Sequence, residues 1–115
     1  MRKELTLGII LGVVALSELA FSRPQRHAMG SVRGWECERK GCGKRYADGW
    51  MLEFNHVIPL EEGGTDTEDN AELLCLYHHL NFHKKRGDFR AWRSIEARIN
   101  KSKGGRTWSW IKENT

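Results

Sequence analysis

The chain has 115 residues, which is enough for one compact domain and a terminal extension but too few for two independent hydrophobic cores. Its 19 Lys and Arg outnumber its 15 Asp and Glu, and the resulting net charge of +4 favours polyanionic partners. The three cysteines cannot all pair as disulfides, so a fully disulfide-bonded framework is excluded.

The charges are distributed in three blocks along the chain. Residues 23–45 contain seven Lys and Arg, and residues 84–106 contain nine against only Asp88 and Glu96. Between these blocks, residues 47–72 carry eight carboxylates and no Lys or Arg. An acidic segment flanked by two basic segments is the arrangement expected where cations lie beside a phosphate backbone.

Residues 5–20 form an apolar N-terminal segment, LTLGIILGVVALSELA, which follows Arg2 and Lys3. The run is short for a membrane span and closer to the apolar region of a signal peptide. Basic residues follow the segment, which favours keeping that side in the cytoplasm. We therefore predict a membrane-associated helix within residues 1–22 of an intracellular protein. A secretion signal and a helix packed on the domain are the alternatives.

Residues 23–34 contain Pro24, two glycines and little apolar content, and we interpret them as a linker. A domain over residues 35–115 follows. Within it, residues 50–58 are rich in strand formers and predict a β-strand that ends before a Gly63-Gly64 turn.

Two helices are predicted after this turn. Residues 69–86 carry leucines at helical spacing, and residues 89–99 repeat apolar side chains at the same period. Asp88 is a suitable N-cap for the second helix, and Gly104-Gly105 ends it.

Four residues of metal-ligand type fall in two close pairs, Cys37-x4-Cys42 and Cys75-x2-His78. This spacing is typical of a tetrahedral structural zinc site, which can supply folding free energy to a domain with a small core. The alternative is one disulfide together with one buried thiol.

A second group of polar residues remains once these four are set aside, comprising Asn55, His56, Asn70, His79 and His83. His79 and His83 are four residues apart and share a helix face about 90° from that of Cys75 and His78. One helix can therefore serve two metal sites. A solvent-exposed histidine is the ordinary explanation for either residue taken singly.

The stretch from Cys37 to Lys84, centred on LEFNHVIPLEEGGTDTEDNAELLCLYHHLNFHK, resembles the HNH endonucleases of the His-Me-finger group. The match rests on elements that occur in the family's order: His56, Pro59, Gly63-Gly64, Asn70, Leu74-Cys75 and His79. The resemblance implies a two-stranded antiparallel hairpin followed by a helix, with a metal held between them. Together with the elements above, the expected fold class is α+β: a small ββα-metal domain stapled by a structural zinc, with an apolar N-terminal helix and a C-terminal helix.

The resemblance also implies roles for individual residues. His56 would be the general base that takes a proton from the attacking water, a task that suits a neutral imidazole. Asn70 would brace the loop that holds this base. His79 and His83, with Asn55, would bind a catalytic divalent metal, such as Mg²⁺, Mn²⁺, Ni²⁺ or Zn²⁺.

Asn55 departs from the family pattern, since Asp, His or Glu usually precedes the catalytic histidine. A neutral amide oxygen is a weaker ligand for a hard cation than a carboxylate, so we expect reduced metal affinity. The zinc knuckle departs as well, because the family often has Cys-x2-Cys and usually has a fourth cysteine where this chain has His78.

Lys84, Lys85 and Arg86 follow the two metal-site histidines directly, and we predict that they contact DNA phosphates. Trp108 and Trp110 are interpreted as cover for the core, with base stacking as the alternative. The sequence therefore predicts a metal-dependent DNA endonuclease with a structural zinc and no small-molecule cofactor. The alternatives are a catalytically weak zinc-stapled DNA-binding module and an exported toxin-like nuclease, and the oligomeric state is not predicted.

Overall fold

The computed structural model describes residues 21–115, and the apolar segment predicted at residues 5–20 lies outside the described residues. The described chain forms helices α1 (Arg23–Arg33), α2 (Leu76–Arg86), α3 (Phe89–Lys101) and α4 (Trp108–Glu113), and strands β1 (Leu52–His56) and β2 (Ala71–Cys75). Within residues 21–115, no helix combines the length and the apolar character needed to cross a membrane. The α+β class is confirmed.

The centre of the fold is an antiparallel β-hairpin followed at once by a helix. Leu52 pairs with Cys75 and His56 with Ala71, so β1 and β2 match along their whole length. β1 lies within the strand predicted at residues 50–58. Helix α2 begins at Leu76, directly after the last residue of β2.

The helix predicted at residues 69–86 is therefore wrong over its first third. Residues 68–70 form a short 3₁₀ turn and residues 71–75 form β2. The helical spacing arises from Leu73 with Leu76 and Leu80, and the segment AELLC has no strong strand former. Leu73 and Leu74 are nevertheless fully buried in the strand that pairs with β1. Tertiary pairing overrides weak local propensity here.

Residues 23–34, predicted as a linker, form helix α1 instead. Ser22 and Gln25 make a reciprocal capping box, and Pro24 stands in the first turn, where its missing N–H costs nothing. Gly34 ends the helix in the left-handed conformation at φ 74°. Met29 packs with Phe21 and Ala71, so α1 is attached to the end of the hairpin.

The C-terminal part of the chain packs against α2 through helix α3. Ile95 and Ile99 of α3 pack against Leu76 of α2. Asp88 occupies the N-cap position of α3 as predicted, but its side chain makes no capping hydrogen bond and accepts from His83 and Arg86 instead. Helix α3 ends at Lys101, before the predicted glycine pair. The predicted C-terminal helix is thus confirmed, and α4 follows it as a second short helix.

Candidate functional site

Four ligand atoms meet where the loop before β1 touches the start of α2. The Nδ1 atom of His78 lies 3.4 Å from the Sγ atoms of both Cys37 and Cys75. The Sγ atoms of Cys42 and Cys75 are 3.9 Å apart, and all four ligand atoms lie within 4.8 Å of one another. Ligands about 2.3 Å from a tetrahedral zinc are separated by roughly 3.7 Å, so this Cys3His cluster fits the ion.

The protonation of the thiols also indicates that the cluster needs a cation. Burial raises the pKa of Cys75 to about 12. Burial would raise the pKa of Cys42 as well, but the backbone N–H of Lys44 and the neighbouring thiols lower it below its ordinary value. Buried thiolates form only when a positive charge compensates them, which a zinc ion at this position would do.

Asn70 braces the long loop between the two strands. Its Oδ1 accepts a hydrogen bond from the Ile58 N–H at 2.8 Å, and its Nδ2 donates to the Ile58 and Thr65 carbonyls at 2.9 and 2.8 Å. Gly64 is required beside it, because a Cβ there would come within 1.8 Å of the Ile58 oxygen. These contacts hold the loop in one conformation next to His56.

His56 is buried at the end of β1, with 9% of its surface exposed. Its Nε2–H donates to Asp66 Oδ1 at 2.7 Å, and its ring stacks on Phe21 with the centroids 4.2 Å apart. Because a carboxylate only accepts hydrogen bonds, this contact places a proton on Nε2, and the neutral tautomer of the ring then has its lone pair on Nδ1. Sequence analysis identified neither Asp66 nor Phe21 as a neighbour of the histidine.

His79 and His83 lie together on α2, with their ring centroids 4.9 Å apart. The Nδ1–H of His79 donates to Glu53 Oε1, and the Nδ1–H of His83 donates to Asp88 Oδ2, each at 2.8 Å. A carboxylate behind each ring fixes the tautomer and leaves both Nε2 atoms free to bind a metal. Burial lowers the pKa of His83, which favours the neutral ligand form.

Glu53 is the functional residue that sequence analysis missed most clearly. Burial would raise its pKa, but hydrogen bonds from His79 and Arg98 lower it below the ordinary value, so the side chain is ionised. Arg98 reaches it from α3 with Nη2 at 2.8 Å and Nε at 3.1 Å. The available signal was its position two residues before Asn55, which puts both side chains on one face of β1.

Asn55 is 4% exposed, and its Nδ2 has no hydrogen-bond partner among the residues that the structure describes. A buried Nδ2 donor without a partner is unusual and indicates a place where an acceptor, such as a water molecule or a phosphate oxygen, completes the site. Asn55 shares one cavity of about 630 Å³ with His56, His79 and His83. This histidine cavity brings together four of the five residues of the predicted catalytic group, and Asn70 lies behind it.

The three basic residues at the end of α2 have different surroundings. Arg86 forms ion pairs with Glu62 and Asp88, and Lys84 lies over the Trp92 ring at 5.0 Å. Lys85 is exposed. Arg86 is therefore held by carboxylates, and the two lysines are the freer cations of the predicted phosphate-binding group.

Comparison with known proteins agrees with this geometry. Residues 37–85 match the family model described as HNH endonuclease. A stretch of 32 residues is 53% identical to the type IV methyl-directed restriction enzyme EcoKMcrA of Escherichia coli (strain K12). That stretch covers 28% of this chain and 12% of the relative. No solved structure matches the chain.

Proposed function

We propose that the chain is a metal-dependent nuclease that hydrolyses phosphodiester bonds in DNA, since residues 37–85 match the HNH endonuclease family model. One observation carries the proposal. A histidine with a free Nδ1 and two histidines with free Nε2 atoms line the same cavity, and each has a carboxylate on its other nitrogen. The similarity to a restriction enzyme supports DNA as the substrate.

In the proposed reaction, His56 Nδ1 takes a proton from a water molecule as that water attacks phosphorus. The bond from phosphorus to the leaving oxygen then breaks. Asp66 holds the imidazole in the required tautomer and stabilises the positive charge that it gains. Asn70 keeps the loop that carries Asp66 closed over the end of β1.

His79 Nε2, His83 Nε2 and the Asn55 amide are the groups that would hold a divalent cation in the cavity. When bound, such an ion supplies neutralisation of the phosphate and of the charge that develops on the leaving oxygen. Glu53 and Asp88 orient the two imidazoles from behind. The residue directly before the general base is the neutral Asn55, and the carboxylates that line the cavity are those of Glu61 and Asp88.

The neutral Asn55 favours a second candidate function, a zinc-stapled DNA-binding module with weak catalysis. Two imidazoles and an amide bear no formal negative charge, so hard cations such as Mg²⁺ would be held weakly. On this alternative the protein binds DNA through its basic residues and through the Cys3His-stapled scaffold, and cleaves it little.

A plasmid-nicking assay on the zinc-loaded full chain separates the two functions. We expect supercoiled DNA to be nicked when Mg²⁺, Mn²⁺ or Ni²⁺ is added, and not when the added metal is omitted. DNA binding without nicking in any of these metals would favour the binding module. Zinc content measured after the assay shows whether the Cys3His cluster stayed loaded throughout.

A further inference from the structure

A shallow aromatic pocket lies at the opposite end of β1 from His56. It has a volume of about 250 Å³ and is lined by Trp35, Tyr46, Met51, Leu52, Thr107 and Trp108. The side chain of Trp108 is 70% exposed and that of Tyr46 is 57% exposed. Two large aromatic rings thus face solvent and contribute little to the core, contrary to the interpretation of Trp108 as core cover.

The wall of this aromatic pocket is held firmly by the fold. The indole of Trp35 lies against Gly30 of α1, where a Cβ would come within 2.1 Å of the ring. Trp35 also has the left-handed backbone angle φ 48°, and its carbonyl accepts from the Tyr46 N–H at 3.0 Å. The ring centroids of Trp35 and Tyr46 are 6.2 Å apart. A pocket with preset walls loses little conformational entropy when it binds a ligand.

Three adjoining depressions, together called the groove, extend from the aromatic pocket to the histidine cavity. A depression of about 390 Å³ between them shares Trp35 and Leu52 with the pocket, and Phe54 and His79 with the cavity. The groove follows β1, in which four residue steps separate Leu52 from His56, or roughly 13 Å. The pocket is therefore within a few nucleotides of the proposed cleavage point.

Arginines lie in or next to each of the three depressions of the groove. Arg98 lines the histidine cavity and Arg26 lines the central depression. Next to the aromatic pocket, the Arg106 guanidinium lies over the rings of Trp50 and Trp110 at 3.7 and 4.1 Å. The pocket itself is lined by no charged side chain. Arg98 is already paired with Glu53, so the groove offers the charges of Arg26 and Arg106 for phosphates. The pocket offers an uncharged aromatic surface for a group that is flat and apolar.

We propose that the aromatic pocket binds one unpaired nucleobase of the DNA strand that passes through the histidine cavity, stacked against the rings of Trp108 and Tyr46. The inference rests on the proposed nuclease function, because it assumes that the DNA substrate lies in the groove. Bases within a duplex are already stacked on their neighbours and cannot enter. Single-stranded or locally unwound DNA is therefore the form that the pocket recognises.

The test measures, by fluorescence anisotropy, the binding of a short single-stranded DNA and of the matching duplex to the zinc-loaded full chain. No divalent metal is added. Trp108→Ala should weaken single-strand binding by about 5- to 100-fold, the loss expected for one base–aromatic stack. Trp108→Phe should restore most of the affinity. Phe89→Ala removes an aromatic side chain that is 58% exposed and does not line the groove, and should change nothing.

An abasic position moved along the single strand locates the bound base. At one position, the abasic site should weaken binding of the strand to the parent protein. An abasic site at the same position should not weaken binding to the Trp108→Ala variant any further. Equal single-strand binding by parent and Trp108→Ala would overturn the inference, while plasmid nicking by the parent would leave the proposed function standing. A parent that neither nicks nor binds DNA would overturn both.

Discussion

The Cys3His cluster and the histidine cavity are built on the same helix, α2, and differ in how complete they are. In the cluster, four ligand atoms already lie within 4.8 Å of one another and would enclose an ion. In the cavity, His79 and His83 line an open space of about 630 Å³ together with Asn55, whose Nδ2 has no hydrogen-bond partner among residues 21–115. A closed site of this kind stabilises a fold, whereas an open one leaves positions for substrate.

The two sites also differ in where their negative charge resides. The cluster has three sulfur ligands in direct reach of the ion, which suits zinc. In the cavity, the carboxylates of Glu53 and Asp88 stand behind the imidazoles and not among the ligands. On the proposed function, one helix would hold a strong structural metal site and a weaker, exchangeable one.

The largest effect is expected from Cys75→Ser, which removes a ligand from the cluster. Structural zinc contributes on the order of 10 kcal/mol in small zinc domains, so the variant should lose its zinc and most of its tertiary structure. Metal analysis and circular dichroism measure both. His83→Ala is the matched control and should retain zinc and fold. Unchanged zinc content in Cys75→Ser would contradict the structural role of the cluster.

His56→Ala should lower the nicking rate by about 10²- to 10⁴-fold, because the general base acts in the chemical step. Zinc content should be unchanged, since His56 lies outside the Cys3His cluster. His27→Ala removes an exposed histidine of α1 and serves as the control. A His56→Ala variant that nicks DNA as fast as His27→Ala would remove His56 from the mechanism.

Glu53→Gln should weaken binding of the catalytic metal by roughly 10- to 100-fold. This loss of metal affinity is typical when a carboxylate that orients a metal-binding histidine is removed. The nicking rate measured against metal concentration reports this as a higher half-saturating concentration. Glu61→Gln, a substitution of an exposed carboxylate that lines the same cavity, is the control. Equal metal dependence in the two variants would show that Glu53 does not position His79.

Asn55→Asp should give the smallest change, a lower half-saturating Mg²⁺ concentration by several-fold. The substitution adds one negative charge among the ligands, where hard cations prefer anionic oxygen. The gain should be smaller with Ni²⁺ or Zn²⁺, which imidazoles already suit. A half-saturating Mg²⁺ concentration equal to or above that of the parent would mean that Asn55 is not a ligand and that His79 and His83 hold the metal.

Much of the cluster was predictable because its ligands come in pairs that are close in sequence. Cys37 and Cys42 are joined by one tight loop, and Cys75 and His78 are separated by less than one helical turn, so local geometry already brings each pair together. The partners of the histidines were not predictable in the same way. Asp66 reaches His56 across a ten-residue loop, and Glu53 reaches His79 from another element.

The errors in secondary structure have the same origin. Leu73 of β2 continues into α2 at helical spacing with Leu76 and Leu80, and only the hairpin pairing with β1 makes residues 71–75 a strand. Helix α1 was missed because its apolar content is low, although its capping box from Ser22 and Gln25 is visible in the sequence. Met29 is its one large buried side chain, so periodicity had little to detect.

The sequence by itself determined the two groups of metal-binding residues and the order of the motif elements, because these depend on residue chemistry and on spacing within a few positions. The tertiary structure alone decided which carboxylate stands behind each imidazole, which nitrogen stays free, and that an aromatic pocket continues the groove along β1. Those features join residues that are far apart in the chain, and the pairing and packing of distant segments determine them.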